Sequence, residues 1–122
     1  MKHLLTALFL SAFACSMFAQ QKTDAPYLKQ KSIPAFTLKT LNKGALTKAN
    51  LPAGKPVVIF IFSPTCNHCA QETKQIIENM QTLKKISFVY ASISTDKQKI
   101  AEFILETGID AYQNIYLGID TD

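Results

Sequence analysis

Hydrophobic and polar positions divide the chain into segments of different periodicity. Leu4 to Phe18 is apolar apart from Thr6, Ser11 and Ser16, and a polar run from Gln20 to Lys31 without periodicity follows it. Ile33-Pro34-Ala35-Phe36-Thr37-Leu38 alternates as a short strand does. Asn42-Lys43-Gly44 signals a turn, and Ala45-Leu46-Thr47 is expected to return as its partner strand. Ala49 to Leu51 predicts a helical turn ended by Pro52 and Gly54. Val57-Val58-Ile59-Phe60-Ile61-Phe62 is an unbroken β-branched and aromatic run between Pro56 and Pro64. Such a run predicts a strand buried on both faces.

Ser63-Pro64-Thr65 breaks that strand, and a period of 3.6 begins at Cys66. Cys69, Thr73, Ile76, Ile77, Met80 and Leu83 share one stripe of the expected helix, with Lys84 and Lys85 at its C-terminal end, where cations suit the dipole. Phe88 to Ile93 predicts a second strand. Asp96 is expected to cap a helix through Thr107, with Ile100, Phe103 and Ile104 inward and Gly108 as C-cap. Ile115 to Ile119 predicts a further strand. Strand, helix, strand, helix in this order implies an α/β fold with parallel pairing through right-handed crossovers.

Charge and composition change the picture mainly at the amino end. Residues 1–19 form a basic start, Met1-Lys2-His3, an apolar stretch and Ala19 before a polar run, the three parts of a secretory signal peptide. Cleavage is expected after Ala19, with residues 20–31 as a flexible leader and 32–122 as the domain. The apolar stretch is shorter than the roughly 20 residues that span a bilayer. An uncleaved anchor, or lipidation at Cys15 in the loosely lipobox-like Ala12-Phe13-Ala14-Cys15, would instead tether the chain to a membrane. The expected location is therefore the periplasm or another exported site in a bacterial envelope. The chain holds 13 Lys or Arg residues, every one of them Lys, against 9 acids, for a net charge of +4. Most of the excess lies in residues 20–55, which reads as a solvated lysine-rich segment. Without arginine, bidentate base and phosphate contacts are missing, so no nucleic-acid partner is expected.

Export allows a thiol pair to persist as a disulfide. Removal of the signal leaves two cysteines, in Cys66-Asn67-His68-Cys69, where the apolar strand meets the helix. Unpaired backbone N–H groups at a helix N-terminus stabilise a thiolate at Cys66. Two intervening residues return Cys69 beside it, so Cys66 can attack a disulfide and Cys69 can resolve the mixed disulfide. A cationic His68 beside Cys66 would lower its pKa further and make the pair more oxidising. Other uses of the pair remain open. A structural disulfide closing so short a loop adds little stability. Zinc needs four ligands, more than the mature chain supplies without dimerising. Covalent haem attachment needs His after the second cysteine, where Ala70 stands. No cofactor and no metal are expected.

The landmarks Ile33-Pro34-Ala35-Phe36-Thr37-Leu38, Gly54-Lys55-Pro56-Val57-Val58, the CxxC and Ser92-Ile93-Ser94-Thr95-Asp96 with its helix to Gly108 resemble the secreted thioredoxin-like proteins of the TlpA/ResA and AhpC/TSA-like group, from about Ser32 to Leu117. The resemblance implies thiol–disulfide exchange with protein thiol or disulfide substrates and an upstream redox partner, with Cys66 as nucleophile and Cys69 as resolving thiol. A non-catalytic thioredoxin-like binding or assembly module is the alternative. Four departures stand out. Thr65 replaces the aromatic residue common before the first cysteine. The acid that thioredoxins bury in the preceding strand falls at Phe60. A peroxidase site needs a Thr, for which Ser63 could stand, and an Arg, which is missing. The family's cis-Pro loop, last two strands and last helix have no counterpart, so the expectation is an incomplete thioredoxin-like fold. In it the Val57–Phe62 strand keeps an open edge, which invites pairing with other chains.

Overall fold

The computed structural model describes residues 32–121; the expected signal peptide with Cys15 and the whole expected leader lie outside them. Among the described residues five strands form one sheet: β1 (Thr37–Lys39), β2 (Ala45–Thr47), β3 (Val57–Phe62), β4 (Ser87–Ser92) and β5 (Ile115–Ile119), in the order β2-β1-β5-β4-β3. Helix α1 (Asn67–Glu78) and a short α2 (Met80–Leu83) lie between β3 and β4, and α3 (Lys97–Thr107) lies between β4 and β5. β3, β4 and β5 are parallel, as the element order requires, whereas β1 meets β5 antiparallel at Lys39 and Ile119.

The alternating segment at 33–38 yields only a three-residue strand, shifted to Thr37–Lys39. Pro34 has no N–H to give a ladder, and the backbone before Thr37 stays irregular. The turn to β2 forms where expected, with a different residue carrying its strain. Lys43 takes the left-handed conformation at φ 65°. Gly44 N–H instead donates to the Thr40 hydroxyl at 2.9 Å. The turn after β2 is a 3-10 turn over Lys48–Asn50, tied by the Thr47 N–H donating to Asn50 Oδ1 at 2.7 Å.

β3 has the expected bounds and a different environment. A strand buried on both faces was expected, yet Val58 is 39%, Ile59 42% and Ile61 67% exposed. The reason is topological: β3 pairs with β4 alone and forms an edge of the sheet among the described residues. The fully covered strand is β4, whose six residues are all buried. Successive side chains on β4 point to opposite faces. Phe88 and Tyr90 therefore join Phe62, Ala70, Met80, Phe103 and Ile109 under the helices. Val89 and Ala91 join Leu38 and Leu46 on the other face. Burial of a side chain of this size contributes about 1.5–3 kcal/mol, so β4 is the strand on which both layers depend.

Two glycines have definite roles. Gly108 ends α3 at φ 70° with its N–H bonded to Ile104 O, as the sequence predicts. At Gly118 an added Cβ would stand 2.5 Å from Leu38 Cβ, so the missing side chain is what lets the hairpin close over β5. Asp96 caps α3 by accepting from the N–H groups of Gln98 and Lys99 at 3.0 and 3.2 Å. The helix expected to run on from the cysteines breaks at Asn79. There the side-chain amide donates to Gln75 O at 2.8 Å and the backbone leaves helical dihedrals at φ −98°, ψ 10°. Asparagine competes for its own helix's carbonyls in this way.

Candidate redox site

The site is built at the end of β3. Phe62 is buried, and Ser63-Pro64-Thr65 turns the chain, with Cys66 N–H donating to Ser63 O at 3.1 Å. The Ser63 and Thr65 hydroxyls bond each other at 3.1 Å within that turn. Cys66 is the N-cap of α1, in extended conformation, and its carbonyl accepts from Ala70 N–H at 3.1 Å. An N-cap side chain normally presents oxygen to the first free N–H groups; here sulfur does so. Cys66 Sγ accepts from Cys69 N–H at 3.2 Å.

Cys66 and Cys69 are free and half-buried, and their acidities move apart. The Cys69 thiol and then the Cys69 backbone N–H, both donating to Cys66, hold its pKa below the usual thiol value. Burial pushes Cys69 up, and donation of its proton to Cys66 adds to that, against a smaller opposing contribution from the Ser63 backbone. The thiolate is thus favoured at Cys66 relative to Cys69. What His68 supplies to the Cys66 sulfur is its backbone N–H, while its side chain stands exposed.

Beneath α1 lie two polar side chains that sequence reasoning had not singled out, Thr73 having been placed only on the helix stripe and Tyr90 only within a strand. Thr73 is wholly buried and its hydroxyl donates to Cys69 O at 2.7 Å. Tyr90 is wholly buried on β4, and its hydroxyl has no hydrogen-bond partner. Burial pushes the Tyr90 pKa up, with Thr73 as the polar neighbour that opposes the shift. Tyr90 stands in register with Phe60, their ring centroids 4.9 Å apart, and packs edge-on to Phe62 at 5.8 Å. The position at which a buried acid was sought is therefore an aromatic contact. A tyrosine inside an apolar strand was the available signal for this feature.

Elsewhere, a groove of about 650 Å³ lies by the hairpin with Lys39, Lys43 and Lys97 in its lining, and neither Cys66 nor Cys69 borders it. Among the described residues no three His, Cys, Asp or Glu side chains cluster to hold a metal. No helix among them is long and apolar enough to cross a membrane.

The family model for AhpC/TSA proteins matches residues 30–120. The chain belongs to the AhpC/TSA family. No curated protein matches it. Among solved structures it is similar to a secreted Mycobacterium tuberculosis disulfide oxidoreductase homologous to Escherichia coli DsbE. The identity is 24% and the TM-score 0.57, over 71% of this chain and 61% of that one. It is similar also to the thioredoxin domain of a thiol-disulfide oxidoreductase from Bacteroides vulgatus, at 21% identity and TM-score 0.55, covering 69% and 59%. A thioredoxin-like protein from Porphyromonas gingivalis matches at 25% identity and TM-score 0.55, covering 74% and 60%. The fold of this family member is thioredoxin-like, the fold of thiol–disulfide oxidoreductases. The chain spans about three fifths of the length of these structures.

Proposed function

We propose that the chain is an exported thiol–disulfide oxidoreductase that exchanges electrons with protein dithiols and disulfides through Cys66 and Cys69. The observation that carries this reading is the hydrogen bond from Cys69 N–H to Cys66 Sγ at the α1 N-cap, with the two thiol pKa values displaced in opposite directions. In the reducing direction the Cys66 thiolate attacks one sulfur of a substrate disulfide. A mixed disulfide forms and the substrate's other sulfur leaves as a thiolate, which takes a proton from solvent. Cys69 then loses its proton and attacks the Cys66 sulfur. The Cys66–Cys69 disulfide forms and the second substrate sulfur leaves, so two electrons have passed to the substrate. An upstream dithiol reverses these steps to restore the reduced pair. In this reading His68 tunes the potential of the pair. Export follows from the amino-terminal pattern and agrees with the secreted character of the M. tuberculosis relative.

Trapping tests the assignment. A Cys69→Ser variant is expected to accumulate mixed disulfides through Cys66, and Cys66→Ser none. Equal trapping by both variants, or none by either, would refute it. His68→Ala leaves the backbone N–H in place, so a thiolate titration isolates the imidazole. A rise in the Cys66 pKa supports tuning, and an unchanged titration removes it.

A further inference from the structure

The backbone of Cys69 is held on both sides. The peptide before it gives its N–H to Cys66 Sγ at 3.2 Å. The peptide after it is held at both ends: Ala70 N–H donates to Cys66 O at 3.1 Å, and Cys69 O accepts from the Thr73 hydroxyl at 2.7 Å. In a regular helix that oxygen already accepts the N–H four residues on, so the Thr73 hydroxyl is a second donor to one carbonyl.

Helix stability does not account for this hydroxyl. Thr73 is wholly buried on the inward side of α1, on the stripe that carries Ile76 and Ile77 into the core. Valine has the same shape and no hydroxyl to desolvate. A threonine hydroxyl turned back on the carbonyl four residues earlier slightly destabilises a helix. A polar group kept where an alkyl group would pack equally well draws attention to what it holds, and it holds the residue that carries the second sulfur.

The holds on Cys69 respond differently to the reaction. A thiolate at Cys66 is a charged acceptor, and hydrogen bonds to charged acceptors are the stronger ones. Once Cys66 is joined to a substrate sulfur it is neutral, and the bond from Cys69 N–H weakens. The Thr73 bond ends on oxygen and does not depend on the charge of either sulfur. At the stage when Cys69 must attack, the peptide between Thr73 and the Cys66 carbonyl is what still keeps Cys69 against Cys66. Holding a nucleophile in attacking geometry is what speeds an intramolecular displacement.

We propose that Thr73 is a positioning residue for the resolving step: its hydroxyl fixes the Cys69 carbonyl and so keeps the Cys69 sulfur within reach of Cys66 after a mixed disulfide has formed. This inference rests on the roles proposed above for the two cysteines.

The test uses the full chain with Cys15→Ser, reduced and mixed with one equivalent of dithiobis(nitrobenzoate), an aromatic disulfide that liberates a yellow thiolate. Attack by Cys66 breaks the reagent's S–S bond, forms a mixed disulfide and releases the first thiolate. Cys69 then gives its proton to solvent and attacks the Cys66 sulfur; the Cys66–Cys69 bond forms and the second thiolate leaves. The two phases time the two steps separately. Thr73→Val is expected to keep the first rate within about twofold and to slow the second about fivefold, the worth of one net hydrogen bond. Thr73→Ser, which restores a hydroxyl, should recover the second rate. Tyr90→Phe deletes the other buried hydroxyl beneath α1 and touches neither bond, so it should leave both phases as they are. Circular dichroism checks that each variant folds, and Thr73→Ala against Thr73→Ser makes the same comparison where Thr73→Val does not. An unchanged second phase in Thr73→Val, a first phase slowed as much as the second, a Thr73→Ser variant as slow as Thr73→Val, or equal slowing by Tyr90→Phe would overturn the inference. Failure of the underlying assignment shows separately, as a Cys66→Ser variant that releases its first thiolate as fast as the intact pair.

Discussion

Tyr90 allows the packing beneath the site to be tested by a single atom. Its ring is wholly buried between Phe60 and Phe62, while its hydroxyl is buried without a hydrogen-bond partner. A buried, unpaired donor forfeits its hydration, at a cost of about 1–3 kcal/mol. Tyr90→Phe removes that atom and keeps both ring contacts. The substitution is therefore expected to stabilise the domain, by about 1 kcal/mol at the low end of that range. With a urea m-value of about 1 kcal/mol per M for a small domain, the midpoint should rise by roughly 1 M at unchanged m. Tyr90→Ala, which empties the ring's space, should instead cost about 3–5 kcal/mol. Urea unfolding followed by circular dichroism measures both. The sign with pH is fixed as well. Burial raises the folded-state pKa of Tyr90 above its ordinary value of 10. The folded state thus favours the neutral phenol, and its contribution is whole below pH 10 and lost as pH rises through the elevated folded value. Tyr90→Phe should remove that alkaline loss. A Phe variant less stable than wild type by more than about 0.5 kcal/mol would refute the reasoning, because a net hydrogen bond of ordinary strength would then have been lost.

Other consequences can be checked in the same preparations. Alkylation of Cys66 by iodoacetamide should reach half its limiting rate below pH 9.0 and that of Cys69 above it, read by peptide mass spectrometry; coincident profiles would contradict the opposed shifts. Gly118→Val forces a side chain against Leu38 and should cost about 1–3 kcal/mol in urea unfolding, with the hairpin amides exchanging faster. Asp96→Ala leaves two α3 N–H groups without their cap and should cost about 1 kcal/mol, while Asp96→Ser should recover most of it.

Elements whose signals are local could be read from the sequence. Asp96 and Gly108 bound α3 by capping chemistry that acts within a few residues, and both ends stand as expected. The bounds of β3 were set by Pro56 and Pro64 in the same way. Its environment was not readable, because an apolar run shows that a strand can be buried and not which strands lie beside it. β4, with Ser87 and Ser92 at its ends, looked less apolar than β3 and is the strand covered on both faces. Asn79 was hidden because a 3.6-residue stripe continues through Met80 and Leu83 regardless of the break. At the site, the neighbourhood of Cys66 and Cys69 followed from spacing. The contacts of Thr73 and Tyr90 depend on α1 lying over β4, a tertiary fact with no local signature.

The exchange of a buried acid for Phe60 bears on how Cys69 could lose its proton. Resolution of a mixed disulfide requires a Cys69 thiolate, and burial works against that thiolate. In the reduced pair Cys69 donates to Cys66 Sγ, which stabilises the nucleophile and holds the resolving proton in place. Once Cys66 is bound to a substrate sulfur it is a neutral, weaker acceptor, and that hold on the Cys69 proton relaxes. The remaining nearby polar groups are the Ser63 backbone, which favours the thiolate, and Thr73, whose hydroxyl is committed to the Cys69 carbonyl. Neither takes up a proton near neutrality, and Tyr90, with its raised pKa, does not either. In the proposed reaction none of these three groups takes the proton, which leaves to solvent or to the departing substrate thiolate. If the chain acts as proposed, the resolving step is the pH-dependent one and is coupled to the basicity of the substrate's own sulfur.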